Sequence, residues 1–256
     1  MSIKHLFVHL DHTPQSRSRL EFAIGLAGRQ QAFLTGCYAA DSRPEAQAQE
    51  LQATFVAQTA NRDIPSQWLS LEESGSGQAL LAQLCHMAQC SDLVIIGQPD
   101  PKNNLGALRE LPEKLVLHSG RPVLILPYAG SFTPHCERVM VAWNGGRESV
   151  RALHDALPLL QQARKVSLLS LIPAGAESAV AQASLAMLCQ HLALHGIQAH
   201  SETQVCLKIS KGDLLLNRSA EEGISLLIAG GVYRDHLGEV ANHLLKYMTI
   251  PVLMSH

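Results

Sequence analysis

A register constrains this chain more than any single motif. Asp11, Ser16, Leu20 and Phe33 stand near its start, and Asn144, Ser149, Leu153 and Val166 stand 133 positions further on. Gly97 and Gly230, each closing an apolar run, keep the same offset. One spacing that relates both ends of two segments marks a tandem duplication. The last strands depart from it. Pro122 and Pro251 are 129 apart, so the second copy is four residues shorter after its glycine. Each copy has roughly the size of an ordinary domain. We expect one domain over residues 1–130 and a second over 138–256, joined by the Gly-, Ser-, Thr- and Pro-bearing stretch 128–137.

Strands and helices alternate in each copy. The first reads as strand 3–10, helix 16–30, strand 32–39, helix 45–61, strand 67–71, helix 76–89 and strand 92–96 closing on Gly97. A polar connection, 98–106, leads to helix 111–118 and strand 122–126. The second reads as strand 139–143, helix 149–160, strand 166–172 and helix 177–195, stopped by Gly196 in a left-handed position. Strand 198–205, helix 213–222, strand 226–229, helix 239–248 and strand 251–254 complete it. Short apolar runs without alternation are strands buried on both faces. Their alternation with helices predicts an α/β chain of two tandem doubly wound domains, each a five-stranded, mostly parallel sheet with helices on both faces.

Bulk properties exclude several classes. The formal net charge is −2, which gives no electrostatic case for nucleic acid or an anionic membrane. No apolar stretch approaches the ~20 residues that span a bilayer. The first ten residues lack a basic segment followed by a long apolar one, so no signal peptide is expected. The six cysteines are scattered, with no Cys-x-x-Cys, which fits a reduced cytoplasmic chain with buried, inert thiols.

In doubly wound sheets, ligands bind beyond the carboxyl ends of the strands. This places Asp11 with Gly97, and Asn144 with Gly230, on one functional edge of each domain. Gly230 and Gly231 end a buried run and precede helix 239–248, with Gly238 at the end of the connection. Glycines there let backbone N–H groups approach an anion beside a helix N-terminus. Asp11 is either an acceptor for a ligand amine or a turn residue bonded to its neighbours. Asn144-Gly145-Gly146 is either a cradle or a tight turn. Ser16 and Ser149 sit where first-turn N–H groups need partners. Lys102, Asn103 and Asn104 form a loop tip that could meet an anion. Of the thirteen histidines, His191 and His195 share a helix face, His9 and His12 flank Asp11, and His236 and His243 bracket the second loop. None comes with an evident third ligand, and no metal residue is assigned. No nucleophile–base–acid set is present, nor is a Gly-x4-Gly-Lys-Ser/Thr loop.

Five stretches, taken in order, resemble the universal stress protein family in its tandem form. They are Val-His-Leu-Asp-x4-Ser at 8–16, Ser-Asp-Leu-Val-Ile-Ile-Gly at 91–97 and Ser-Gly-Arg-Pro-Val-Leu-Ile-Leu-Pro-Tyr at 119–128. The others are Val-Ala-Trp-Asn-Gly-Gly-Arg-Glu-Ser at 141–149 and Met-Thr-Ile-Pro-Val-Leu-Met-Ser-His at 248–256. The resemblance implies a cytoplasmic stress-response protein with no settled chemistry of its own, often dimeric. Its regulatory protein partner is unknown. Family members commonly pair through their last strands, here 123–126 and 252–254, which could make an intramolecular pseudo-dimer.

Many members of that family bind ATP or AMP. The implied pattern is an Asp ending the first strand, then Gly-x2-Gly-x9-Gly-Ser/Thr after the fourth. This sequence departs from it twice. Asp11 and Gly97 match, but Asp100 stands at the next glycine and Glu110–Leu111 at the Gly-Ser/Thr pair. In the second copy, Asn144 replaces the Asp, Tyr233 stands at the next glycine, and the connection is too short for the x9 spacing. The expectation is therefore a non-catalytic protein with degenerate nucleotide loops and no certain cofactor. The alternatives are an ATP- or AMP-binding form with slow ATPase activity, or a metal-binding or protein-interaction module. The segment 144–149 is also similar to the Ser-Gly-Gly-x-Asp-Ser pyrophosphate loop of adenylating enzymes, with two of six positions altered.

Overall fold

The computed structural model describes residues 2–40, 45–71, 76–103, 105–207, 209–233 and 235–256. The chain divides into two compact units, residues 2–134 and 135–256. No helix among the described residues is long and apolar enough to cross a membrane.

The first unit contains strands β1 (His5–Leu10), β2 (Phe33–Tyr38), β3 (Ser66–Ser70), β4 (Leu93–Gly97) and β5 (Val123–Leu126). All pair parallel, in the order β3-β2-β1-β4-β5. Helices α1 (Gln15–Gln30), α2 (Glu45–Ala60), α3 (Gly77–Ala88) and α4 (Leu111–His118) connect them. A 3₁₀ turn at Gly106–Glu110 precedes α4 in what the sequence reads as open loop. Parallel neighbours require right-handed crossovers. The strand order runs outward from β1 in both directions, so α1 with α2 and α3 with α4 cover opposite faces. This double cover explains the apolar runs: Leu6, Val8 and Val94–Ile96 are fully buried.

The second unit repeats the design. Strands β6 (Arg138–Ala142), β7 (Lys165–Pro173), β8 (Ala199–Cys206), β9 (Leu226–Gly230) and β12 (Val252–Ser255) pair parallel in the order β12-β9-β6-β7-β8. Helices α5 (Arg147–Asp155), α6 (Leu157–Leu160), α7 (Ser178–Leu194), α8 (Lys211–Glu221) and α9 (Glu239–Tyr247) connect them. The expected helix 149–160 is broken at Ala156. Pro158, in the first turn of α6, has no N–H to continue the ladder. Gly196 takes φ +76° and ends α7 as its sequence position predicts. The loop after Gly230, expected to be open, is a two-stranded hairpin, β10 (Val232–Tyr233) and β11 (His236–Leu237). Its short span is long enough for four paired residues.

The strand order reverses between β1 and β4, and again between β6 and β9. In β1–β4 pairing, Val8 lies beside Ile95, which brings Leu10 and Asp11 alongside Gly97 at the carboxyl edge. Val141 beside Ile228 does the same for Trp143, Asn144 and Gly230. These are the switch points where doubly wound sheets leave a crevice.

Candidate functional site

In the first domain this crevice is filled by the chain itself. Asp11 is buried just past β1, and its carboxylate is saturated with donors. Oδ1 accepts from the Thr13 amide at 2.8 Å, the Ser16 hydroxyl at 2.8 Å and the Thr13 hydroxyl. Oδ2 accepts from Arg19 Nη2 at 2.9 Å. Ser16 Oγ also accepts from the Asp11 amide at 2.9 Å and from Arg19 at 2.7 Å. Burial alone would raise the Asp11 carboxyl. Arg19, His9 and the Thr13 bonds outweigh it and hold the group below the usual carboxylate range. His9, bonded through Nε2 to the Ala39 carbonyl at 3.0 Å, is pushed down to about 4, first by burial and also by Arg19.

Arg19 is only 3% exposed. Its Nη1 lies 1.8 Å from where a Cβ on Gly97 would stand. Gly97 therefore admits a close neighbour, and that neighbour is the guanidinium of Arg19. What remains is a cavity of about 20 Å³ between His9, Asp11, Thr13, Arg19 and Gly97, room for a single water. Beyond it, Asp100 closes its own loop, accepting the Lys102 amide at 2.9 Å on Oδ1 and the Asn103 amide on its carbonyl. Asn104 lies outside the described residues.

The second domain has smaller groups at the matching positions. Ala152 stands 133 residues after Arg19, Ala142 after His9 and Leu171 after Tyr38. A crevice of about 120 Å³ opens there, walled by Trp143, Ser149, Leu169, Leu171, Leu215 and Gly230. Trp143 is held by an Nε1 bond to Ser184 at 2.9 Å. Asn144 does not reach across as Asp11 does. Its Oδ1 accepts the Gly146 amide at 2.8 Å, an Asx turn that Gly145 completes at φ +71°. Gly146 then caps α5, and Ser149 donates to the Gly146 carbonyl at 2.8 Å. Of the two readings of Asn144-Gly145-Gly146, the turn is the one formed.

The crevice adjoins a cleft of about 980 Å³ that shares Asn144, Lys211, Gly230 and Val240 with it and extends to His236, His243 and Lys246. Gly238, the N-cap of α9, leaves the first-turn N–H groups of this helix without a side-chain cap. Lys211 opens α8, which Ser210 caps through the Asp213 amide at 3.0 Å. Ser210 and His243 both bond the Asp213 carboxylate, at 2.6 and 2.8 Å, and hold it low. The cleft thus offers a helix N-terminus and two lysines to an anion. Two expected ligand groups are otherwise engaged. Gly231 donates its N–H to Ser255 at 2.9 Å and accepts from Gly238 at 3.1 Å. Gly230 is a packing glycine, since a Cβ there would lie 2.8 Å from the Ser149 nitrogen.

Sequence reasoning missed Arg19. The signal was its place three residues after Ser16, on the helix face that also carries Leu20 and Ala27. It also missed Lys211 and His154. From α5, His154 lies 5.1 Å from His191, which lies 4.8 Å from His195, ring centre to ring centre. Even so, among the described residues no three His, Cys, Asp or Glu are arranged to hold a metal ion. All six cysteines are free. Cys37 and Cys85 are buried, with burial pushing Cys37 up to about 12, but Cys90 is exposed and the other three are half-exposed, against the expectation of six buried thiols.

No protein-family model and no curated protein matches this chain. Solved structures do. A universal stress protein from Archaeoglobus fulgidus DSM 4304 superposes with a TM-score of 0.73 at 14% identity, covering 98% of this chain and 97% of its own. A functionally unknown protein from Pseudomonas aeruginosa PAO1 gives 0.65 at 17% identity, covering 99% and 92%. These likenesses extend over both units.

Proposed function

We propose, from the universal stress protein fold that this chain carries in duplicate, that it is a non-catalytic cytoplasmic stress-response protein that binds one adenine nucleotide, in its second domain only. The asymmetry of the two crevices carries this reading. Arg19 and its ion pair with Asp11 occupy the base position of the first domain. The second domain has Ala152 there, with an apolar slot beside Trp143 and an uncapped helix start beyond it. An aromatic base fits the slot, and a phosphate fits the start of α9 near Lys211. Glu239 follows Gly238 where a Ser or Thr would bond a terminal phosphate, and Gly231 has no free backbone group. A monophosphate is thereby favoured over a triphosphate.

Calorimetric titration with AMP, and separately with ATP and Mg²⁺, tests this. The expected result is one site per chain, tighter for AMP, with no ADP formed. Ala142→Leu, on the crevice wall, should weaken binding at least about tenfold by filling the slot. Two sites per chain, or none, would overturn the proposal.

A further inference from the structure

Helices α5 and α7 form a seam beside the open crevice of the second domain. At the crevice end, the Trp143 indole donates to Ser184 of α7 at 2.9 Å. Ser184 Oγ also lies 4.0 Å from where a Cβ on Gly145 would stand, against the turn that leads into α5. At the other end three imidazoles meet. His154 of α5 lies 5.1 Å from His191 of α7, and His191 lies 4.8 Å from His195, between ring centres. Ser184, His191 and His195 are seven and four residues apart, which puts them on one face of α7. The face that holds Trp143 is therefore the face that carries the histidines.

The surroundings suit these rings only while they are neutral. His154 Nδ1 lies 2.8 Å from the Val150 carbonyl, and a carbonyl only accepts, so this nitrogen bears the hydrogen. His191 Nε2 is buried without a hydrogen-bond partner. A proton placed there would meet no acceptor. From Ser178 to Leu194, α7 contains no Asp, Glu, Lys or Arg. On α5, Arg151 and Asp155 stand to either side of His154 and bond each other at 2.9 Å. The turn after α6 brings the uncharged Gln161, which donates to the His195 carbonyl at 3.3 Å. In the strands under α7, Lys165 and Glu202 pair with Glu222 and Arg218 on the α8 side of the sheet. His200 shares the face of Glu202 by strand alternation. Burial first, and then His154 and His195, push His191 below the usual imidazole value of 6.5.

We propose that His154, His191 and His195 form an acid-released clasp that holds α5 against α7 and so keeps Trp143 in the wall of the crevice. At neutral pH, uncharged rings packed edge-on and tilted close the seam. As pH falls below 6.5, protons enter the trio, like charges face each other across the seam, and the clasp loosens. The sign follows from the direction of the shift. A histidine depressed in the fold favours the closed seam above its unfolded value and loses that contribution as pH falls. The three rings are half-buried or exposed, so the opening is local and the sheet beneath stays folded. The clasp acts on the wall of the crevice itself and does not depend on the nucleotide reading.

Trp143 reports the state of the seam without any ligand. The chain has one other tryptophan, Trp68 of β3, so Trp68→Phe leaves a single emitter. Its fluorescence, followed in the full chain between about pH 8 and 5, tests the proposal. Emission should hold steady at neutral pH and then change in one reversible transition with its midpoint below 6.5, while far-UV circular dichroism stays constant. In the same background, His191→Phe keeps an aromatic ring but removes the proton site, and the transition should be lost. His191→Gln should lose it too, and decides the matter if the phenylalanine disturbs packing. A flat Trp143 profile, a transition that survives both His191 substitutions, or one that is matched by a loss of circular dichroism would each overturn the clasp.

Discussion

The two switch-point crevices of this molecule share one fold, one register and almost nothing in their contents. In the first, a buried carboxylate and a buried guanidinium neutralise each other where a ligand would lie. In the second, an amide closes a tight turn and the crevice beside Trp143 stays open. Asp11–Arg19 and Asn144–Ala152 therefore read as two matched pairs. Each is self-consistent, and mixing them is not. A buried charge needs its partner, whereas a neutral amide needs none. The first pair fills its crevice with an internal brace. The second leaves its crevice open and has no brace.

Splitting the first pair is the severest test of that comparison. Arg19→Ala should destabilise the first domain by about 3–5 kcal/mol, since Asp11 is left buried and unpaired. Thermal unfolding followed by circular dichroism would show the fall. Asp11→Asn with Arg19→Ala, which copies the second domain's pair, should recover most of the loss. If the double variant is as unstable as the single one, the two residues are not a matched pair.

Acid should distinguish the domains next. His9 stays neutral in the folded state down to about pH 4, but in the unfolded chain it takes up a proton near pH 6.5. Its contribution is thus present above pH 6.5 and lost as pH falls toward 4, on the order of 3 kcal/mol. Asp11, depressed in the fold, adds a further loss as pH drops below about 4, the unfolded carboxylate value. Ala142 and Asn144 give the second domain neither term. Melting curves between pH 7 and 3 should therefore show the first domain unfolding ahead of the second. Equal sensitivity would count against the internal brace.

The glycines supply a smaller effect with a sharper pattern. Gly97→Ala should cost about 1–3 kcal/mol by displacing Arg19, and the cost should vanish in the Asp11→Asn/Arg19→Ala background. Gly230→Ala should cost a similar amount with no such relief, because it strikes the backbone of Glu148 and Ser149. Denaturant midpoints of the four variants would decide this. Least of all, Gly145→Ala should cost about 1 kcal/mol through its left-handed φ alone, measurable as a small shift in the same midpoint.

Much of this molecule was legible in its sequence. The 133-residue offset placed β4 and β9 in register to the residue. Unalternating apolar runs identified the doubly covered strands, and Gly196 marked a helix end. These features are local or periodic, so they survive projection onto one dimension. The hairpin after Gly230 was missed because two-residue strands leave no period to detect. The helix break at Ala156 was missed because Leu153, Leu157 and Leu160 keep a helical spacing across it.

The sites were legible in position but not in content. Sequence alone determined that Asp11 meets Gly97 and that Asn144 meets Gly230, because strand order and register follow from the alternation of elements. It did not determine which crevice is open. That depends on where Arg19 points, on the space Ala142 and Leu171 leave between them, and on how closely α5 approaches Gly230. Each of these is a distance between residues far apart in the chain, set only when the sheet and its helices pack.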